Sequence, residues 1–212
     1  MIRIPASVAS VLPVALLALG TPAQPPAPPK HAGPHLQPHA VTEYRYLDSL
    51  ADPKRWSPAE CETSVSSRSA DGHPCVRMHI PVDFSTGEKN YPIGWPRMYL
   101  TLKPDEQEWL EYDRFEFQLF TETKRASLPK HPLSLQVHGA CGQKKSVTLD
   151  LATIGASKAF TMNLSDLGMT GGIARLGFNI SEADYCDKDV IDFHLGGFRL
   201  ARATAAQVTQ LK

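Results

Sequence analysis

The chain lacks most of the signatures by which a sequence declares an enzyme. It has no G-x-S-x-G elbow, no H-E-x-x-H pair and no glycine-rich phosphate loop, which removes the common serine-hydrolase, zinc-protease and nucleotide-binding sites. It lacks an excess of either charge, with 22 Lys plus Arg against 22 Asp plus Glu, so no global field draws it to nucleic acid or to an anionic membrane. It lacks a long hydrophobic run. The longest, Val8 to Leu19, is about a dozen residues broken by Pro13, where a membrane-spanning helix needs roughly 20. Segments with a convincing 3.6-residue period are missing too, which speaks against a helical or α/β enzyme fold. Cysteine is scarce: Cys61, Cys75, Cys141 and Cys186, at spacings that fit no zinc ribbon and no C-x-x-C redox motif.

What is present begins with Arg3, the apolar run and the small residues Thr21-Pro22-Ala23, together the pattern of a secretory signal peptide over residues 1–23. The expected location is secreted or periplasmic, and no cysteine follows the apolar run to carry a lipid anchor. Residues 24–40 form a Pro-rich linker, which with Pro22 holds Pro25, Pro26, Pro28, Pro29, Pro34 and Pro38 and has almost nothing apolar to bury; it reads as an extended tether. The body, residues 41–202, is enough for one domain with its own core. Residues 203–212 form a C-terminal tail, read as a short, frayed helix. An even set of cysteines in an exported chain favours disulfides. Three pairings are open, and the preferred one joins Cys61 to Cys75 across a Ser/Gly-containing loop and Cys141 to Cys186 between two polar stretches.

Short runs with period-2 alternation recur through the body between turn residues, the pattern of an all-β antiparallel sandwich of about 8–9 strands. The runs lie near Thr42 to Leu47, Pro74 to Ile80, Arg97 to Leu102, Asp113 to Thr121, Leu133 to His138, Ser146 to Leu151, Ala159 to Asn163, Ile173 to Ile180 and Val190 to Ala201. Neighbouring side chains in a strand face opposite ways. Phe115, Phe117 and Leu119 therefore share a core face, as do Leu133, Leu135 and Val137, Met98, Leu100 and Leu102, and Leu176, Phe178 and Ile180. The opposite face carries Arg97, Tyr99, Glu116, Gln118, Gln136, His138 and Asn179. Amides, an imidazole and a guanidinium on a rigid sheet suit the hydroxyls of a sugar, with an aromatic ring to stack on. Trp95, in Gly94-Trp95-Pro96-Arg97, is the candidate ring; Trp109 and Trp56 are expected to be packing residues.

Several segments carry a family resemblance. Glu111-Tyr112-Asp113-Arg114-Phe115-Glu116-Phe117, Ala159-Phe160-Thr161-Met162-Asn163-Leu164-Ser165-Asp166-Leu167 and Ile191-Asp192-Phe193-His194-Leu195-Gly196-Gly197-Phe198-Arg199-Leu200 resemble strands of the galactose-binding-like, jelly-roll carbohydrate-binding modules. The resemblance implies a jelly-roll sandwich, a polysaccharide or oligosaccharide partner without catalysis, and a structural calcium between the first and last strands. Asp192 and Glu43 are the candidate calcium ligands. The position usually acidic in the closing strand is Gly196-Gly197 here. A rival reading rests on Gln136-Val137-His138, similar to the Q-[IV]-H strand of jelly-roll alginate lyases. There the amide and imidazole would meet a substrate carboxylate, with Tyr99 and Arg97 or Arg114 completing the site. The lyase family's R-[TS]-E-x-R strand and its C-terminal Y-F-K-x-G-x-Y strand are not found.

Overall fold

A computed structural model of the chain describes residues 40–85, 94–151 and 154–205. The leader and nearly all of the tether, with the last seven residues, lie outside the described residues.

In the described residues eleven strands form two antiparallel sheets. They are β1 (Ala40–Tyr46), β2 (Ser57–Ala59), β3 (Glu62–Ala70), β4 (His73–Pro81), β5 (Arg97–Thr101), β6 (Arg114–Thr123), β7 (Leu133–Gly139), β8 (Lys144–Leu149), β9 (Ser157–Asn163), β10 (Ile173–Asn179) and β11 (Val190–Ala205). The six-stranded sheet has the order β3-β4-β11-β6-β9, with β1 also paired to β11; the five-stranded sheet has the order β2-β5-β10-β7-β8. The remaining regular structure in the described residues is short 3-10 turns. This is the all-β sandwich that the alternation implied, with two strands, β2 and β3, that the alternation did not reveal.

The residues expected to face inward do so. Phe115, Phe117 and Leu119 of β6 and Val76, Met78 and Ile80 of β4 are buried, as are Leu133, Leu135 and Val137 of β7 and Leu176 and Phe178 of β10. The two sheets meet through aromatic contacts: the ring of Phe117 lies 5.9 Å from that of Phe178, and Trp56 lies 5.8 Å from Phe178. Trp109 is 1% exposed and donates its indole N–H to the Glu106 carbonyl, and Trp56 donates to the Leu50 carbonyl. Both are packing residues with satisfied donors, as buried indoles require.

β11 is the common partner of β1, β4 and β6. Along it, Phe193 and Leu195 point inward, then Phe198 and Leu200 do. That change of phase is a bulge, marked by a register shift between Gly196 and Arg199 opposite β6. Gly197 takes a left-handed φ of +60°, where a side chain is strained. The segment after Arg202 continues β11 to Ala205 and pairs with β1, so residues 203–205 are strand where a frayed helix was expected.

Candidate functional site

Pairing registers place the outward side chains of the five-stranded sheet in three rows. The central row crosses all five strands: Ser57, Tyr99, Gly177, Gln136 and Ser146. One flanking row holds Arg97, Asn179 and Ser134; the other holds Thr101, Arg175, His138 and Lys144. With strands about 4.8 Å apart, the central row spans roughly 19 Å. These rows line a recess of about 530 Å³ whose walls include Trp95, Arg97, Tyr99, Gln136, His138, Lys144, Ser146 and Arg175.

Cross-strand contacts hold the groups in place. The Tyr99 ring lies across Gly177, where a Cβ would stand 2.3 Å from its Cδ1 and Cε1. That empty space lets the phenol O–H reach over β10 and donate to Gln136 Oε1 on β7 at 3.0 Å. The Arg175 guanidinium stacks 3.9 Å from the Tyr99 ring centre, and the His138 ring meets the same ring edge-on at 6.3 Å. Trp95, 44% exposed, donates its indole N–H to Asn179 Oδ1 at 3.0 Å and carries the Arg97 guanidinium 4.9 Å from its ring centre. Arg97 also donates to the Trp95 carbonyl and pairs with Glu60 at 3.5 Å. The Asn179 Nδ2 is buried without a hydrogen-bond partner. Burial, and then the positive charges of Arg175 and Lys144, push the His138 imidazole below its ordinary pKa, so it is a neutral ring at pH 7.

Trp95, Arg97, Tyr99, Gln136, His138 and Asn179 are therefore together, as the sequence suggested. Glu116 and Gln118 are not. Both lie on β6, in the other sheet, and face the opposite side of the molecule. There Arg199 donates to Glu116 at 2.9 Å and Gln118 donates to Asp71. Arg114 is also on β6, beside Glu116, and Arg175 occupies the recess instead. Alternation tells which residues of one strand share a side, and it is silent on which sheet the strand joins. Arg175, Lys144 and Ser146 went unselected. The alternation that placed Asn179 outward also placed Arg175 outward, so the signal for Arg175 was present.

The two candidate calcium ligands are not brought together either. Asp192 and Glu43 do not meet: Glu43 pairs across to Arg202, ten positions along β11 from Asp192, roughly 33 Å at the strand rise. Asp192 is taken up by a two-pronged ion pair with Arg77 and by His79 Nδ1 at 2.7 Å, and Glu43 accepts from Arg202 at 2.8 Å. A guanidinium against each carboxylate is the wrong surrounding for a hard cation, which needs several oxygens. No group of three or more acidic, histidine or cysteine side chains suited to a metal occurs among the described residues.

All four cysteines are free thiols in this structure, and the preferred pairing does not fit the registers. Cys61 precedes β3, and the β3–β4 register sets Glu62 opposite His79, so Cys61 falls about five residues, roughly 17 Å, along the hairpin from Cys75. A disulfide needs Cα atoms within about 7 Å. Cys61 donates its S–H to the Arg97 carbonyl, and Cys75 packs beside Gly196. Cys141, in the β7–β8 turn, lies against Gly171 before β10 begins, whereas Cys186 follows the far end of β10.

No protein-family model matches the chain, and no curated protein matches it. Solved structures similar in fold include carbohydrate-binding modules. The CBM27-1 module of Caldicellulosiruptor saccharolyticus, solved with mannohexaose, is 16% identical with a TM-score of 0.46, covering 78% of this chain and 99% of that one. The CBM22-1 xylan-binding domain from Paenibacillus barcinonensis is 12% identical with a TM-score of 0.40, covering 78% and 94%. An exo-beta-agarase is 12% identical with a TM-score of 0.48; the match covers 73% of this chain, which spans only 24% of that enzyme.

Proposed function

We propose that this chain is an exported, non-catalytic, carbohydrate-binding-module-like protein that holds a poly- or oligosaccharide on the outer face of its five-stranded sheet. One observation carries the reading: the recess gathers an exposed indole with amide, hydroxyl, imidazole and guanidinium groups on four neighbouring strands. Rigid donors and acceptors beside an aromatic ring are what sugar hydroxyls and ring faces require. Trp95 offers the stacking surface; Arg97, Gln136, His138 and Ser146 offer hydrogen bonds. Affinity-gel binding across a panel of polysaccharides tests it. Retardation by at least one glycan is expected, together with its loss in a Gln136→Ala plus His138→Ala variant. Undiminished binding by that variant would place the site elsewhere.

A second reading, an alginate-type polysaccharide lyase, is favoured by the convergence of Tyr99, Gln136, His138 and Arg175 around a neutral imidazole. Neutral His138 would take the proton next to a uronate carboxyl group held by Arg175 and Gln136. The electron pair left behind forms a carbon–carbon double bond as the glycosidic C–O bond breaks, and the Tyr99 hydroxyl protonates the departing oxygen. Growth of ultraviolet absorbance from unsaturated uronates separates the two readings. Its absence on alginate, pectin and glucuronan leaves the binding protein.

A further inference from the structure

The two outer faces of the sandwich treat their charges differently. On the six-stranded sheet four arginines are neutralised in place: Arg68 by Glu122, Arg77 by Asp192, Arg199 by Glu116 and Arg202 by Glu43. The recess on the five-stranded sheet is walled by Arg97, Lys144, Lys145 and Arg175 and by no carboxylate. Of these only Arg97 has an acidic partner within 4.0 Å among the described residues, Glu60. A chain whose formal charges cancel has thus collected unpaired cations on the face that also carries its sugar-suited groups.

The cations are also ordered. Arg175 on β10 and Lys144 on β8 stand in register on either side of the neutral His138 ring on β7, neighbours about 5 Å apart in a row parallel to that of Tyr99, Gln136 and Ser146. Stacking on Tyr99 fixes the plane of the Arg175 guanidinium, and a fixed guanidinium engages a planar or tetrahedral oxyanion through two parallel N–H bonds. We infer that the ligand of this face is an anionic glycan, one whose sugars carry carboxylate or sulfate groups that lie along the Arg175–His138–Lys144 row while the hydroxyls meet Gln136 and Ser146. The inference rests on the carbohydrate reading above and adds the class of sugar. A duplex nucleic acid would satisfy the cations and leave the amide row without a role.

The test is titration of the full chain with polygalacturonate and alginate as uronate probes, chondroitin sulfate as a sulfate probe, xylan and mannan as neutral probes, and duplex DNA. Binding to a uronate or sulfate polymer is expected, weakening at least tenfold between about 50 and 500 mM salt as the charges are screened. Lys144→Ala and Arg175→Ala each weaken it by about tenfold, and Arg199→Ala on the opposite face leaves it unchanged. Lys144 is exposed, so its variant keeps the fold, which a circular dichroism spectrum verifies. Whether uronate or sulfate binds tighter identifies the charged group. Binding to xylan or mannan alone, insensitive to Lys144→Ala, overturns the anionic assignment and leaves the carbohydrate reading standing. Binding to no polysaccharide overturns both. DNA held as tightly as the best glycan reduces the face to a general polyanion surface and overturns the assignment.

Discussion

Replacing Gly177 with alanine tests how the recess is built. Gly177 is not in the left-handed region, so alanine fits its backbone, and the conflict is purely with Tyr99. The added methyl would lie 2.3 Å from Cδ1 and Cε1 of the ring. Carbon atoms prefer about 3.5–4.0 Å, so the ring must retreat by more than about 1 Å. Tyr99 is only half-buried and can swing outward, which spares the core but breaks two contacts. The hydrogen bond to Gln136 contributes about 1 kcal/mol net and the Arg175 stacking about 0.5–1 kcal/mol. Alanine in turn restricts the unfolded chain, a gain of about 0.4–1 kcal/mol. The balance is a loss of about 1 kcal/mol, or 2–4 °C in Tm for a domain of this size. Glycan affinity should fall further than stability, since Gln136, Arg175 and Tyr99 all lose their fixed positions. Urea denaturation of Gly177→Ala alone and in a Tyr99→Ala background forms a double-mutant cycle. In that background the substitution should be neutral or stabilising. An equal cost in both backgrounds would refute the account, because the methyl would then be colliding with something other than the ring.

Three further outcomes are expected. Burial would raise the Glu106 carboxyl, but Arg55, the Lys103 N–H and Ser49 outweigh it and hold the pKa near 2. Its stabilisation is therefore complete above its unfolded-state value and is lost as pH falls from about 4.5 towards 2; Glu106→Gln should cost about 3 kcal/mol at neutral pH and flatten the acid limb of a denaturation series. Cys141 and Cys186 are exposed and should react at once with a thiol reagent, whereas Cys61, whose pKa burial raises to about 11, and Cys75, which burial also pushes up, should wait for unfolding. Fewer than four titratable thiols in denaturant without reductant would show that disulfides form after all. Finally, a bound carboxylate would draw a proton onto His138, which is faced by Arg175 from β10, Lys144 from β8 and Tyr99 from β5. Polyuronate binding should then tighten as pH falls from about 7 to about 5, and His138→Gln should abolish that dependence in calorimetry.

The core was legible because each inward residue of β5, β6, β7 and β10 stands two positions from the next, and burial on one side leaves that mark in any strand. β3 leaves none. Its residues, Glu62 to Ala70, are polar on both sides, and Val65 is 76% exposed, so a strand at the sheet edge is written like a loop. Most of the candidate site was legible for the same reason as the core, since Tyr99, Gln136 and His138 are the complements of buried neighbours. Sheet membership was not. It depends on pairings such as Gly177 with both Tyr99 and Gln136, distant in sequence, and its absence is why Glu116 and Gln118 were grouped with residues on the far side. The bulge at Gly196-Gly197 hid the inward set of β11 similarly, because it shifts the alternation by one.

β11 also governs when the protein can exist. It is synthesised after every other described strand, yet it is the shared neighbour of β4 and β6 and, among the described residues, the one partner of β1, with Ala40 opposite Ala205. While its residues are still inside the ribosome, β4 and β6 have no common partner, and the six-stranded sheet is two separate ribbons, β3-β4 and β6-β9, with β1 left alone. The fold therefore closes after translation of the domain, by long-range pairings that are slow to form. A chain interrupted within the sixteen residues of β11 would expose the inner faces of both ribbons.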